Sequence, residues 1–300
     1  MKRGLAATIV AAFGRQYEVE LEQGGERLLC FPRAKKSVFA CGDRVEITAA
    51  GDKQGVIERL EERSSLLYRE DAFKQKLIAA NVTQVIVVVA TEPSFSPELI
   101  TRCLCAAEDQ ELKVLIALNK ADLVDRLAAA RALLAPLTAA GYEVIELSAK
   151  QGAQPLRARL AGEISLLVGQ SGMGKSTLTN AILPEAEAAT REISEALDSG
   201  KHTTTFSRLY RLPEGGALID SPGLQIFGLA QLSPDALQYA FPEFRPYLGQ
   251  CRFRDCKHEA EPGCALRAAR DAGQIHAQRF EHYRTLRQEL AYAQQARIGR

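Results

Sequence analysis

The chain has 300 residues, 46% of them hydrophobic and 25% charged, with a formal net charge of +1. That length leaves room for two or three domains of ordinary soluble composition. A charge so near zero does not demand a nucleic-acid partner, though a local basic patch could supply one, and no apolar run approaches the length of a membrane span.

Residues 1–68 read as β-rich. The opening MKRGLAATIVAAFGRQYEVE sets basic residues before an apolar patch. Arg15 and the alternation of Tyr17, Val19 and Leu21 carry it straight into strand-like sequence, as the first strand of a cytoplasmic protein rather than a signal segment. ERLLCFPR, DRVEITAA and GVIERL come next, with Gly and Asp between them. About five short strands fit a small β-barrel of OB type, with an SH3-like barrel as the rival. Arg33, Lys35 and Lys36 form a basic turn that suits a solvated loop or a phosphate-backbone contact.

The character changes at about residue 69. VTQVIVVVA is a nearly continuous apolar, β-branched run, as expected of a parallel strand covered on both faces. Helix and strand then alternate: ELITRCLCAAEDQ, KVLIALNK, LVDRLAAARALLAPLTAAG with a break expected at Pro136, YEVIELSAK, EISLLVG, a helix from GKSTLTNAIL, and GALIDSPG. This predicts an α/β domain with a largely parallel sheet over residues 69–228.

That domain carries a set of nucleotide motifs. GQSGMGKST fits the phosphate-loop pattern in its required place between a strand and a helix. Gly169 and Gly174 let the backbone wrap phosphates, and the amides of Ser171, Gly172, Met173, Gly174, Lys175 and Ser176 point inward, with Gln170 and Thr177 completing the binding loop. Lys175 should reach the β and γ phosphates, and the Ser176 hydroxyl should take Mg²⁺. Asp220, at the end of a strand, is placed to hold Mg²⁺, and Gly223 can give an amide to the γ phosphate. Between these lies LDSGKHTTTFSRLY, a switch in which Thr204, with Thr203 as runner-up, would complete the Mg²⁺ shell. Leu224 stands where many GTPases have a water-orienting glutamine, and Gln225 is out of register. His202 is therefore the candidate for positioning water. Slow intrinsic hydrolysis, stimulated by a partner, is expected.

A phosphate loop alone does not choose a base; NKAD does. Asp122 can accept from guanine N1 and N2, Asn119 can bind the other edge of the base, and the stem of Lys120 can lie over it. Ser148, Ala149 and Lys150 form a second base loop, with the Ala149 amide aimed at O6. Both base loops precede the phosphate loop, which reads as a circularly permuted GTPase. Joining old termini and opening a surface loop leaves the strand-end geometry intact.

Residues 229–300 form a small, mainly α unit. Of seven cysteines, three cluster as Cys251, Cys256 and Cys264 around His258. Three thiolates and one imidazole at this spacing predict one closed structural Zn²⁺ site in a reducing compartment, not a disulfide scaffold. Arg252, Arg254 and Lys257 make the knuckle basic, suited to solvent or to RNA phosphate. Residues from Ala265 to Gln295 read as one helix, with His276 and His282 at its surface.

Taken with their order, IAANVTQ (78–84), NKAD, GQSGMGKST, GKHTTT, DSPG and the cysteine–histidine cluster resemble the bacterial small ribosomal subunit biogenesis GTPases of the RsgA type, also called YjeQ. The resemblance spans essentially the whole chain. It implies an N-terminal OB barrel, a permuted GTPase domain and a C-terminal zinc domain. It also implies GTP hydrolysis stimulated by the 30S subunit, contact with 16S rRNA, release with GDP, and switch roles for His202 and Thr204. A cytoplasmic monomer without DNA or membrane partners is expected. Gln170 and Met173 occupy variable positions of the phosphate loop, and the basic barrel loop is short. Two rivals share many of these features: a GTP-dependent regulator of another assembly, and an RNA-binding module with a structural nucleotide site.

Overall fold

The computed structural model describes residues 4–34, 38–71, 74–184, 207–221 and 227–298. Five strands close the N-terminal barrel: β1 (Leu5–Phe13), β2 (Gln16–Leu21), β3 (Arg27–Pro32), β4 (Arg44–Ala49) and β5 (Gln54–Leu60). The pairing runs β1-β2-β3-β5-β4 and returns to β1, with β3–β5 parallel, which is the OB arrangement. Alternating side chains fill it: Ile9, Val19, Cys30, Val45, Ile47 and Ile57 are all buried. The ladder between β1 and β2 shifts register between Ile9 and Ala11. Before the shift β1 pairs with β4; after it, Ala11 pairs with Arg208 of the next domain. The bulge bends one strand so that it serves two sheets.

Residue 68 falls inside a hairpin, β6 (Leu66–Asp71) and β7 (Lys74–Ala80), that spans the junction. Asn81, with φ of 56°, then fastens the end of this hairpin to the barrel. Its Nδ2 donates to Gly42 O at 2.9 Å and its Oδ1 accepts from Ser64 N at 2.9 Å. An asparagine suits this left-handed position because its short amide reaches nearby backbone.

The α/β domain alternates as expected: β8 (Gln84–Ala90), α1 (Pro97–Asp109), β9 (Lys113–Asn119), α2 (Val124–Ala139), β10 (Glu143–Glu146), α3 (Gln154–Arg157), β11 (Ile164–Val168), α4 (Lys175–Ile182), β12 (Arg208–Arg211) and β13 (Ala217–Asp220). The parallel order is β10-β9-β8-β11-β13, with β12 antiparallel at the side facing the barrel. Every residue of β8 is buried, as its position in mid-sheet requires. Helix α2 runs through Pro136 instead of breaking there. A proline in the last turn removes only one donor; the Pro136 ring is buried, and its carbonyl still accepts from Ala140 N at 3.2 Å.

The C-terminal unit holds α5 (Pro234–Tyr239), a 3₁₀ turn (Pro242–Tyr247), α6 (Ala265–Asp271) and α7 (Ala277–Ile298). The tail expected as one helix is two. Gly273, at φ of 74°, ends α6 in a left-handed turn closed by Gln274 N to Ala269 O at 2.9 Å. Phe241 and Phe244 stack with centroids 4.8 Å apart, and Tyr283 meets both edge-on. Arg279, 1% exposed, pairs with Glu243 at 2.6 Å, lies over the Phe241 ring and donates to Thr101 Oγ1 of α1 at 3.1 Å. Arg245 pairs with Glu108 of α1 at 2.6 Å. The unit is thus docked on α1 by charge-assisted bonds, that of Arg279 buried and that of Arg245 partly buried. His282 is half-buried against Thr101 Oγ1 at 2.9 Å, not at the open surface, while His276 is exposed. Among the described residues no helix is long and apolar enough to cross a membrane.

Candidate nucleotide and metal sites

The phosphate loop leaves β11 and enters α4, at the C-terminal ends of the parallel strands where open α/β sheets take ligands. Two of its glycines are compelled by close approach. A Cβ on Gly169 would lie 2.3 Å from Val88 O, and one on Gly174, at φ of 88°, would lie 2.4 Å from Asn119 Nδ2. The second contact means that the base clamp is packed onto the phosphate loop. Met173 is buried, whereas Ser171, Gly172, Ser176 and Thr177 face outward around the loop.

Asn119 joins the segments. Its Nδ2 donates to Met173 O at 2.9 Å, and its Oδ1 accepts from Ala149 N at 2.9 Å. One buried side chain therefore bridges both base loops and the phosphate loop, fifty-odd residues apart in one case (|i−j| = 54). The Ala149 amide, expected to face guanine O6, is donated here to Asn119, because the buried carboxamide oxygen requires a donor. Lys120, with φ of 58°, donates to Glu92 O at 2.7 Å and Gly172 O at 2.8 Å, so its stem spans the loop. Asp122 is exposed. The nearby Ser148 hydroxyl chiefly holds its carboxyl below the ordinary range, and Lys150 and Lys120 lower it further.

Asp220 sits beside Leu167 of β11, one residue before the loop begins to turn. Burial raises its pKa to about 6, opposed by Lys175 and by bonding from Ser221 and Thr179. Burial also lowers the Lys175 ammonium, opposed by Asp220. The ammonium donates to Gly169 O at 2.5 Å and Gln170 O at 3.0 Å. The Lys175 ammonium and the Asp220 carboxyl therefore influence each other electrostatically at the loop, an arrangement suited to binding a charged group and its counterion. Ser221 Oγ anchors the strand end to Leu167 O at 2.9 Å.

His202, Thr203, Thr204, Gly223, Leu224 and Gln225 lie outside the described residues, as do Lys35 and Lys36.

Some neighbours of the site carry no sequence signal. The segment Thr91–Ser96 lies against the phosphate loop: Thr91 Oγ1 donates to Lys120 O, and Ser96 N donates to Gln170 Oε1. The Ser-Pro pair at 96–97 is a legible helix start, but nothing in the sequence ties it to a residue 74 positions away.

At the other end of the molecule Cys251, Cys256, His258 and Cys264 bring their ligand atoms within 4.8 Å of one another. His258 Nδ1 lies 3.3 Å from Cys264 Sγ and 3.6 Å from Cys251 Sγ. A tetrahedral ion bound at ordinary Zn–N and Zn–S lengths sets donors about 3.5 Å apart, so the four residues fit such an ion. The other imidazole nitrogen, Nε2, is 3.0 Å from Gln238 Oε1 of α5, which fixes the ring with Nδ1 turned inward. Ala265 N donates to Cys251 Sγ at 3.3 Å. Burial lowers the His258 pKa, keeping the imidazole in the neutral form a metal requires. Gln238 is invisible to sequence reasoning too, since a single amide on a short helix gives no signal.

Fold and site together define a phosphate-loop α/β nucleotide-binding protein in which the base clamp precedes the phosphate loop, flanked by an OB barrel and a Cys₃His unit. A family model described as RsgA GTPase matches residues 60–230, and the chain belongs to that family. Two relatives named small ribosomal subunit biogenesis GTPase RsgA, from Burkholderia pseudomallei (strain K96243) and Paraburkholderia phytofirmans, are each 54% identical. Both alignments cover 94% of this chain, and 91% and 92% of the respective relatives. The crystal structure of YjeQ from Thermotoga maritima is 33% identical with a TM-score of 0.74, covering 96% of this chain and 99% of that one. YloQ, described as a circularly permuted GTPase, is 27% identical with a TM-score of 0.71, covering 97% of this chain and 96% of its own.

Proposed function

We propose that this chain is a GTP hydrolase acting in biogenesis of the small ribosomal subunit. The observation that carries the nucleotide reading is the Asn119 bridge, because it gathers three separated segments at one place. Its second Nδ2 proton remains for the edge of a guanine, and Asp122 accepts from N1 and N2. Adenine offers no matching donor pair, so an ionised Asp122 selects GTP. The low-lying Asp122 carboxyl is in the form this needs. Amides of residues 170–176 cradle the phosphates, and Lys175 transfers its ammonium from loop carbonyls to the β and γ oxygens. Ser176, Asp220 and Thr204 would hold Mg²⁺, which supplies charge neutralisation across the β and γ phosphates when bound. His202 orients the attacking water, and Gly223 gives its amide to the γ phosphate.

The division into residues 1–68, 69–228 and 229–300 assigns the chemistry to the middle unit and particle contact to all three. Zn²⁺ at Cys251, Cys256, His258 and Cys264 orders the last. The chain acts in the cytoplasm as a monomer, binds 16S rRNA within the 30S particle as GTP complex, and leaves with GDP. The names of the relatives support the ribosomal assignment.

The test is hydrolysis of GTP and of ATP with and without purified 30S particles, with Ser176→Ala as control. Particles should accelerate GTP turnover alone, and the variant should lose it. No acceleration of GTP turnover by the particles would overturn the coupling to the small subunit.

A further inference from the structure

Helix α1 begins with half a capping box. The Ser96 side chain accepts from Leu99 N at 3.4 Å, which is the usual first half. The reciprocal bond, to the N–H of the cap residue itself, ordinarily comes from a Glu or Gln three residues on. Here that residue is Leu99, which has no acceptor. The missing acceptor arrives from the phosphate loop: Gln170 Oε1 takes the Ser96 N–H at 2.8 Å. The donor is a backbone amide, so the oxygen end of the Gln170 carboxamide is the end that must face it.

The contact does not stand alone. Pro93 lies 3.3 Å from where a Gly172 Cβ would be, and Lys120 bonds Glu92 O and Gly172 O together. The segment Thr91–Ser96 is thereby held to the phosphate loop at both ends. Lys175 meanwhile uses the carbonyl of Gln170 itself. Any shift of Gln170 therefore moves an atom that the phosphate-binding lysine touches.

We propose that Gln170 is a positioning residue for nucleotide binding. Its side chain completes the cap of α1 and, through that bond, fixes the first turn of the phosphate loop against a helix that cannot move freely. This rests on the GTP-binding reading above. It assigns to the side chain of a loop position, which needs only a backbone amide for phosphate contact, a separate task.

Three variants test it: Gln170→Leu, which keeps a side chain of similar bulk and loses the acceptor; Gln170→Glu, which keeps an acceptor; and Leu99→Glu, which supplies the local half of the box. Two quantities are read, hydrogen exchange of the Ser96 amide and affinity for a fluorescent GTP analogue. Gln170→Leu should speed Ser96 exchange and weaken binding about five- to tenfold, the worth of one buried hydrogen bond. Gln170→Glu, which keeps the acceptor but adds a negative charge beside the phosphates, should retain the protection of Ser96. Leu99→Glu added to Gln170→Leu should restore protection of Ser96 without restoring affinity. Unchanged affinity in Gln170→Leu would overturn the proposal. So would full recovery of affinity on adding Leu99→Glu, because Gln170 would then act only through helix stability. If the unaltered chain binds no GTP analogue, the function proposed above falls and this role with it, while Ser96 exchange still reports whether the contact exists.

Discussion

The two candidate sites are assembled in opposite ways. The metal site draws its four ligands from residues 251–264, and its supporting bonds come from Gln238 nearby and from Ala265. The nucleotide site draws on strand ends scattered from Ala90 to Ser221, tied by side chains that reach across long sequence separations. A local site must keep its order, because the ligand spacing is the geometry. A site made at strand ends needs only the sheet. That is why the base clamp can precede the phosphate loop here without loss of arrangement.

Four measurements probe this contrast, in descending size of effect. Cys256→Ser, or a strong chelator, should abolish stoichiometric zinc and the amide protection of residues 251–264. Structural zinc sites of this kind supply on the order of 10 kcal/mol to local folding. GTP affinity should change far less, since the strand ends do not depend on the knuckle. Next, Arg279→Met leaves Glu243 buried without its partner, and should cost about 3–5 kcal/mol in denaturant unfolding. Arg279 also donates to Thr101 Oγ1 of α1, so its loss should loosen the C-terminal unit on that helix.

Asn119→Ala should cost about 2–4 kcal/mol, by stranding the Ala149 amide and the Met173 carbonyl. Unlike the knuckle variant, it should also lower GTP affinity, because it separates both base loops from the phosphate loop. The smallest effect is a matter of pH. The Asp220 pKa is raised to about 6, so the native state holds a proton that the unfolded chain has released between about pH 4 and 6. Stability from this group is present below that window and lost as pH rises through it. Asp220→Asn, which stays neutral, should therefore stabilise the nucleotide-free protein by about 1–2 kcal/mol at pH 8, with the gap closing toward pH 4. A gap that widened on acidification would refute the assignment.

Legibility in the sequence divides along the same line. The knuckle ligands, the loop glycines and the Asn119–Asp122 clamp are local patterns whose chemistry fixes their spacing. The α/β alternation is legible because β8 and β11 are apolar runs, each followed by an amphipathic helix. The hairpin β6–β7 is hidden by its charges: Arg69, Glu70, Lys74 and Lys76 blur the two-residue alternation. The division of the tail at Gly273 escapes notice because one glycine in a helical pattern reads as a tolerated cost. Pro136 misleads in the other direction, since its effect depends on how near the helix already is to its end. The motif alone assigns the Ala149 amide to the base. Its bond to Asn119 Oδ1 depends on how the folded loops meet.

Strand β1 carries one more consequence. It closes the barrel through β4 and continues, past its bulge, into pairing with β12. Arg208 is bonded to Glu18, and Arg211 to Glu20 at 2.9 Å, so charge reinforces the seam. The barrel is therefore not a removable module. A protease or a gene truncation that took it away would strip β12 to a bare edge, with two arginines deprived of their partners. What remained would be a sheet open to pairing with another copy of itself. Loss of this N-terminal unit should surface first as insolubility, before any deficit in nucleotide binding is measured.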